Sequence, residues 1–277
     1  MSQRSDSTRV EILAVRGATA DVRGDLIATE EPMEIRAEGP GQPAVRIAVT
    51  MRTPGHDLEL AVGFLFTEGL LAGREELSAR VATDLPGPFG KNQLVTVQLT
   101  TPFDPAVAQR AFFTTSSCGI CGKAAIERVE IATNPLPGGP VVALSTVLSL
   151  PAALRRAQAG FDRTGGLHAT GLFDRDGGLL VAREDVGRHN AMDKVIGRMV
   201  MDDRVPLSEH VAMVSGRASF ELVQKAAMAG IPILCSVSAP SSLAVALAAK
   251  LKLTLVGFVR GDGFNVYTHA ERIDTAR

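Results

Sequence analysis

The chain is 277 residues long, 45% hydrophobic, and carries a net charge of -1. That composition is enough for one large domain or two smaller ones, and the charge argues against nucleic-acid binding by bulk electrostatics. No apolar run reaches the ~20 residues that a membrane-spanning helix needs, and three cysteines are too few for a disulfide scaffold, so a soluble, reducing, cytoplasmic setting is expected.

Residues 1–9 are expected to be a disordered N-terminus; they lack the apolar core of a secretory signal. Short apolar stretches follow at 10–15, 33–36 and 45–51, and 45–51 alternates as a strand does. Pro54-Gly55 marks a turn, after which Asp57 can cap a helix over about 58–71. A Gly/Pro-rich turn at 85–90 precedes a second alternating strand at 94–99. The segment Thr114-Thr115-Ser116-Ser117-Cys118-Gly119-Ile120-Cys121-Gly122-Lys123 comes next. Asn134-Pro135-Leu136-Pro137-Gly138-Gly139-Pro140 reads as a linker. It divides an N-terminal α/β part, 10–139, from a C-terminal α/β part, 140–277.

The second half is more regular. Residues 170–182 read as a hairpin with Asp176-Gly177 in its turn. A helix over about 190–201 follows. Then come strand 210–215, helix 220–229, strand 232–237, helix 242–251 and strand 254–259. Each strand is a nearly continuous apolar run, as expected when both faces are covered. The pattern is βαβαβ, which predicts a parallel sheet with right-handed crossovers and an α/β fold. It leaves open whether the two parts fuse into one sheet.

Open parallel sheets bind ligands beyond the carboxyl ends of their strands. Three loops are expected at that edge: Ser215-Gly216-Arg217-Ala218-Ser219, Ser238-Ala239-Pro240-Ser241, and Phe258-Val259-Arg260-Gly261-Asp262-Gly263. Two of them open helices, whose N-terminal amides favour anions, and Arg217 and Arg260 add forked donors suited to phosphate. Taken singly, each loop could be an ordinary turn; together they favour a phosphate-bearing ligand. No GxGxxG follows a strand and there is no Walker sequence, so an ordinary dinucleotide or triphosphate site is not supported. Trp is absent and Tyr occurs once, which removes stacking platforms for single-stranded nucleic acid.

Cys118 and Cys121 allow three chemistries. Structural zinc wants four ligands. Only one Cys pair is present, Cys235 falls inside an expected buried strand, and His56, His168 and His189 stand at no ligand spacing from the pair. No stably bound metal is therefore expected. A zinc deaminase needs H-x-E upstream of Pro-Cys-x-x-Cys, whereas Ser117 precedes Cys118 and the H-x-E, His269-Ala270-Glu271, lies downstream. A dithiol at a helix start, with Lys123 nearby, can exchange disulfides. A glycine-flanked thiolate can also carry sulfur as a persulfide to a second, acceptor site. The pair alone does not choose between exchange and relay.

Four ordered segments resemble the formate dehydrogenase accessory sulfurtransferases, the FdhD family. Ser117-Cys118-Gly119-Ile120-Cys121-Gly122-Lys123 is similar to its cysteine loop. Arg183-Glu184-Asp185-Val186-Gly187-Arg188-His189-Asn190-Ala191-Met192-Asp193-Lys194 is similar to a second signature. Ser215-Gly216-Arg217 with Glu221 and Lys225-Ala226 resembles a third, and 254–260 with 264–267 a fourth. The resemblance implies a fold like cytidine deaminase, with a sheet flanked by helices, and a homodimer. It also implies a sulfur carrier that takes persulfide sulfur from a cysteine desulfurase. The acceptor would be the molybdenum or tungsten bis-pterin guanine dinucleotide cofactor of formate dehydrogenase. By position, Cys118 matches the persulfide carrier and Cys121 its partner. Phe258, Val259, Arg260, Gly261, Asp262 and Gly263 match the segment that contacts the guanine dinucleotide. Competing readings are a dithiol redox enzyme and a non-catalytic cofactor-binding chaperone.

The charged second signature has a plain reading, a solvated helix start capped by Asp185. In the functional reading, Asp185, Arg188 and His189 position cofactor or orient the cysteine loop, with His189 a proton donor near neutral pH. His56 and His210 are expected to be structural. Glu221 and Lys225, four apart on one helix, can pair.

Overall fold

The computed structural model describes residues 6–87, 90–104 and 134–276, with the side chains of 79–92 left out. Cys118 and Cys121 lie outside the described residues. Two larger sheets organise the rest. The six-stranded sheet has the order β13-β12-β11-β10-β8-β9. Its members are β8 (His168–Asp174), β9 (Leu179–Asp185), β10 (His210–Val214), β11 (Ile233–Ser236), β12 (Thr254–Arg260) and β13 (Gly263–Thr268). Strands β10, β11 and β12 run parallel, and β8, β9 and β13 are added antiparallel. The expected parallel unit is present, so the fold is α/β.

Alternation along these strands sorts side chains to two faces. Phe173, Val211, Met213, Ile233, Cys235 and Val256 join one buried cluster with helix α2 (Leu144–Arg156). Leu172, Ala212, Val214, Leu234 and Leu255 join the other, beneath helices α4 (Arg188–Met201), α5 (Phe220–Met228) and α6 (Ser242–Lys250). Val256 and Val259 share a face although three apart. The odd spacing is accommodated by an irregularity at Gly257 to Arg260, where Phe258 takes a left-handed φ of 55°. A non-glycine residue held there stores strain, which concentrates at functional sites.

The four-stranded sheet has the order β4-β3-β6-β5, from β3 (Glu31–Glu38), β4 (Val45–Arg52), β5 (Leu77–Gly87) and β6 (Gly90–Leu99). Helix α1 (Asp57–Thr67) packs on it and crosses α4. The crossing is backbone to backbone. A Cβ at Gly63 would lie 1.9 Å from the Asp193 carbonyl oxygen, and one at Gly197 1.8 Å from that of Glu59. One core cluster draws Met33, Ile35, Ile47 and Leu65 together with Met192, Ile196, Leu222 and Leu255, from both sides of the irregular stretch 134–140. The two sheets do not fuse; they are joined through these helices.

Several expectations are corrected. Residues 7–9 are not disordered, since β1 (Ser7–Arg16) starts at Ser7 and forms a two-stranded arm with β2 (Thr19–Ala28). The arm leans on helix α3 (Ala159–Thr164). Helix α1 ends at Thr67 rather than near 71, because Gly69 turns left-handed at φ 74°. Leu70 N–H then donates to the Leu65 carbonyl and Gly69 N–H to that of Phe66, the closing pair of a glycine-terminated helix. Asp57 does not cap α1. The N-cap is His56, and the Asp57 carboxylate instead accepts from buried Arg52 at 3.0 Å. Phe258, Val259 and Arg260 belong to β12 rather than to a loop, and the chain turns at Gly261-Asp262 into β13, which Gly263 opens. No helix among the described residues is long and apolar enough to cross a membrane.

Candidate functional site

The carboxyl ends of β9, β10, β11 and β12 share one edge with the start of β8, as their pairing requires. Backbone links hold the loops there together. Ser241 N–H donates to the Ala218 carbonyl, Phe258 N–H to that of Ser238, and the Ser236 hydroxyl to that of Gly216 at 2.6 Å. Ser241 also caps α6 by accepting from Ala244 N–H at 3.2 Å.

A cavity of about 770 Å³ opens at this edge, between it and helices α2 and α3. Ser215, Val259, Arg260 and Gly261, all expected site residues, line it. So do residues the sequence reading did not assign to a ligand: Arg155 and Gln158 from the end of α2 onward, Phe161 of α3, and His168. Arg155 stacks 4.9 Å from the Phe161 ring centre and pairs with Asp162 at 2.5 Å. Arg260 is exposed and lies 5.2 Å over the Phe258 ring. An apolar wall with a few basic and hydroxyl groups at its mouth suits a planar ring carrying an anionic tail. The signal for α2 was hidden because Pro151 interrupts its helical pattern. Asp262 and Gly263 are exposed beyond the lining.

A second cluster adjoins the first. Gly216 leaves room for the His168 ring, because a Cβ there would lie 3.2 Å from His168 Nδ1 and 3.8 Å from Arg188 Cδ. Burial lowers the pKa of His168, and Arg188 and Arg217 lower it further, so the ring is neutral. Arg217 is exposed, and the Arg188 Nε is buried without a hydrogen-bond partner. An unsatisfied guanidinium nitrogen is costly, and a ligand oxygen would relieve it.

The structure gives Asp185 and His189 of the second signature distinct surroundings. Asp185 is fully buried. Its carboxylate pairs with Lys194 at 2.6 Å and accepts from Thr53 N–H, Gly187 N–H and the Asn190 amide. It therefore braces the turn into α4 and has no free face for a cofactor. Burial, then Arg188 and Lys225, push the His189 pKa down to about 3, so it works as a neutral ring. Its Nε2 lies 3.0 Å from the Ser219 hydroxyl and its Nδ1 3.1 Å from the Glu221 carboxylate. Sequence reading missed both partners, since 219 and 221 reach 189 only through the packing of α5 beside α4. Glu221 and Lys225 do approach, at 3.9 Å, but Lys225 binds Asp193 more closely, at 2.9 Å. Among the described residues, no three His, Cys, Asp or Glu side chains converge as a metal site.

Comparison with known proteins gives concordant results. The sequence model of the FdhD/NarQ family matches residues 28–274. The sulfur carrier protein FdhD of Mycobacterium tuberculosis is 51% identical, with 94% of this chain and 96% of that protein covered. The protein of the same name from Saccharolobus solfataricus is 40% identical, with 96% and 97% covered. A crystal structure from Desulfotalea psychrophila, described as a formate dehydrogenase accessory protein, superposes with a TM-score of 0.75. It is 26% identical and covers 98% of this chain and 100% of that one.

Proposed function

The chain belongs to the FdhD/NarQ family, and from that premise we propose that it is a sulfur carrier serving the maturation of formate dehydrogenase. The observation that carries the reading is the cavity at the carboxyl edge, walled by apolar side chains and lined by Arg155, Arg260 and His168, the last under the influence of Arg188 and Arg217. Such a cavity can take the guanine and phosphates of a bis-pterin guanine dinucleotide cofactor of molybdenum or tungsten, here a substrate. Ser215, Gly216, Arg217, Arg188 and residues 258–263, from the end of β12 through the turn into β13, are the proposed contacts. His189 contributes a neutral hydrogen-bonding ring.

In the proposed cycle, a cysteine desulfurase presents its own persulfide. The Cys118 thiolate attacks the outer sulfur, a new S–S bond forms, and the desulfurase thiolate leaves. The Cys118 persulfide then hands that sulfur to the reduced metal of the bound cofactor: the S–S bond breaks, the metal gives up two electrons as it takes the sulfur as a sulfido ligand, and Cys118 leaves as the thiolate. Cys121 assists by exchange. The protein acts as a homodimer in the cytoplasm. The exposed apolar face of the arm, with Leu13, Val15 and Val22 each about two-thirds exposed, supports a subunit contact.

Binding of GDP to the full chain tests the site. Arg260→Ala is expected to weaken it about tenfold, as loss of a charge-assisted contact does. Unchanged GDP affinity in that variant removes residues 258–263 from the site.

A further inference from the structure

Ser219 occupies the N-cap position of α5, yet its hydroxyl makes no capping bond. It is 3.0 Å from His189 Nε2 instead, and His189 Nδ1 is 3.1 Å from a Glu221 oxygen. The three side chains form a hydrogen-bonded chain at the carboxyl edge, each only partly buried. Arg217 precedes Ser219 by two residues and Arg188 adjoins His189.

A neutral imidazole carries one N–H, and its other nitrogen can only accept. An ionised carboxylate only accepts. Burial raises the Glu221 pKa, while its other oxygen lies 3.9 Å from Lys225, whose charge opposes that shift. The groups around Glu221 are Lys225 on its own helix, Asp193 and Arg188 on α4, and Glu68 after α1. With the carboxylate ionised, His189 Nδ1 must hold the hydrogen, and Nε2 must accept the Ser219 hydroxyl proton. The Ser219 oxygen then has lone pairs but no hydrogen to offer outward.

We propose that Glu221 is a positioning residue that fixes the Nδ1–H tautomer of His189, making Ser219 a hydrogen-bond acceptor on the edge that also carries Arg188 and Arg217. Such a pairing favours a ligand with a hydroxyl or N–H beside its phosphates, a nucleoside diphosphate, over bare pyrophosphate. The inference rests on reading this edge as a nucleotide site and assigns the device that would set its selectivity.

Nitrogen NMR of the full chain labelled at histidine reads the tautomer directly. Wild type and Ser219→Ala are expected to show Nδ1–H at His189, and Glu221→Ala to show Nε2–H. Glu221 is one-third exposed and Lys225 keeps Asp193, so the variant retains its core pairing. In parallel calorimetry, both variants are expected to weaken GDP about three- to tenfold, as loss of one neutral hydrogen bond does, with pyrophosphate changed by less than about twofold. An Nε2–H tautomer in wild type, an unchanged tautomer in Glu221→Ala, or equal loss of GDP and pyrophosphate overturns the proposal. Failure of wild type to bind GDP at all overturns the nucleotide reading instead, and the tautomer spectrum decides the role of Glu221 regardless of it.

Discussion

Lys225 is almost fully buried, with its ammonium 2.9 Å from Asp193 and 3.0 Å from the Thr67 hydroxyl. Burial disfavours its charge, but Asp193, Glu221 and Glu68 together raise its pKa above the ordinary lysine value. Removing the cation strands Asp193 in the core. Lys225→Met is expected to cost about 3–5 kcal/mol by denaturant unfolding, as breaking a buried pair does. His189 gives a pH signature of opposite origin. The unfolded ring takes up a proton near 6.5, while the folded ring resists until about 3. Above pH 6.5 neither state binds the proton, and as pH falls from 6.5 toward 3 only the unfolded state does, so stability drops. His189→Gln is expected to lose less stability than wild type when the pH is lowered through that range. At this scale the sequence was legible in type but not in role. The charged run 184–194 announced a dense electrostatic site, yet which charges face inward depends on Thr53 and Thr67, more than a hundred residues away.

The strands and helices of the second half were readable because each obeys one period. The apolar runs at 210–215, 232–237 and 254–259 match β10, β11 and β12 to within about two residues at either end. Helix α2 was missed because Pro151 breaks the pattern, and the arm because β2 is exposed along its length and shows no buried stripe. The crossing of α1 and α4 was equally invisible, since a glycine inside a helix reads as a weakness until its neighbour is known. Here Gly63 and Gly197 let two backbones touch. Gly63→Ala or Gly197→Ala is expected to cost about 3 kcal/mol through overpacking against carbonyls that cannot yield. Thermal unfolding checks this, and a cost no larger than that of an exposed helical substitution would show that the helices can part freely.

At the scale of the molecule, the two sequence halves share one core and two buried ion-pair knots, Lys225–Asp193 with Thr67 and Lys194–Asp185 with Thr53. The Pro/Gly stretch at 134–140 is irregular, as its composition predicts, but compositional linkers report local stiffness and say nothing of what packs across them. The carboxyl edge was foreseeable from strand order alone, because parallel topology dictates where loops emerge. The cavity's far wall, from α2 and α3, was not, because it depends on how those helices close over the sheet. On the proposed reading, this molecule carries sulfur on Cys118. Intact-mass measurement after incubation with a cysteine desulfurase and cysteine tests it most directly. Wild type is predicted to gain the mass of one sulfur atom, lost on reduction, and Cys118→Ala to gain none. An unmodified wild-type mass, or equal loading of Cys118→Ala, would contradict the account.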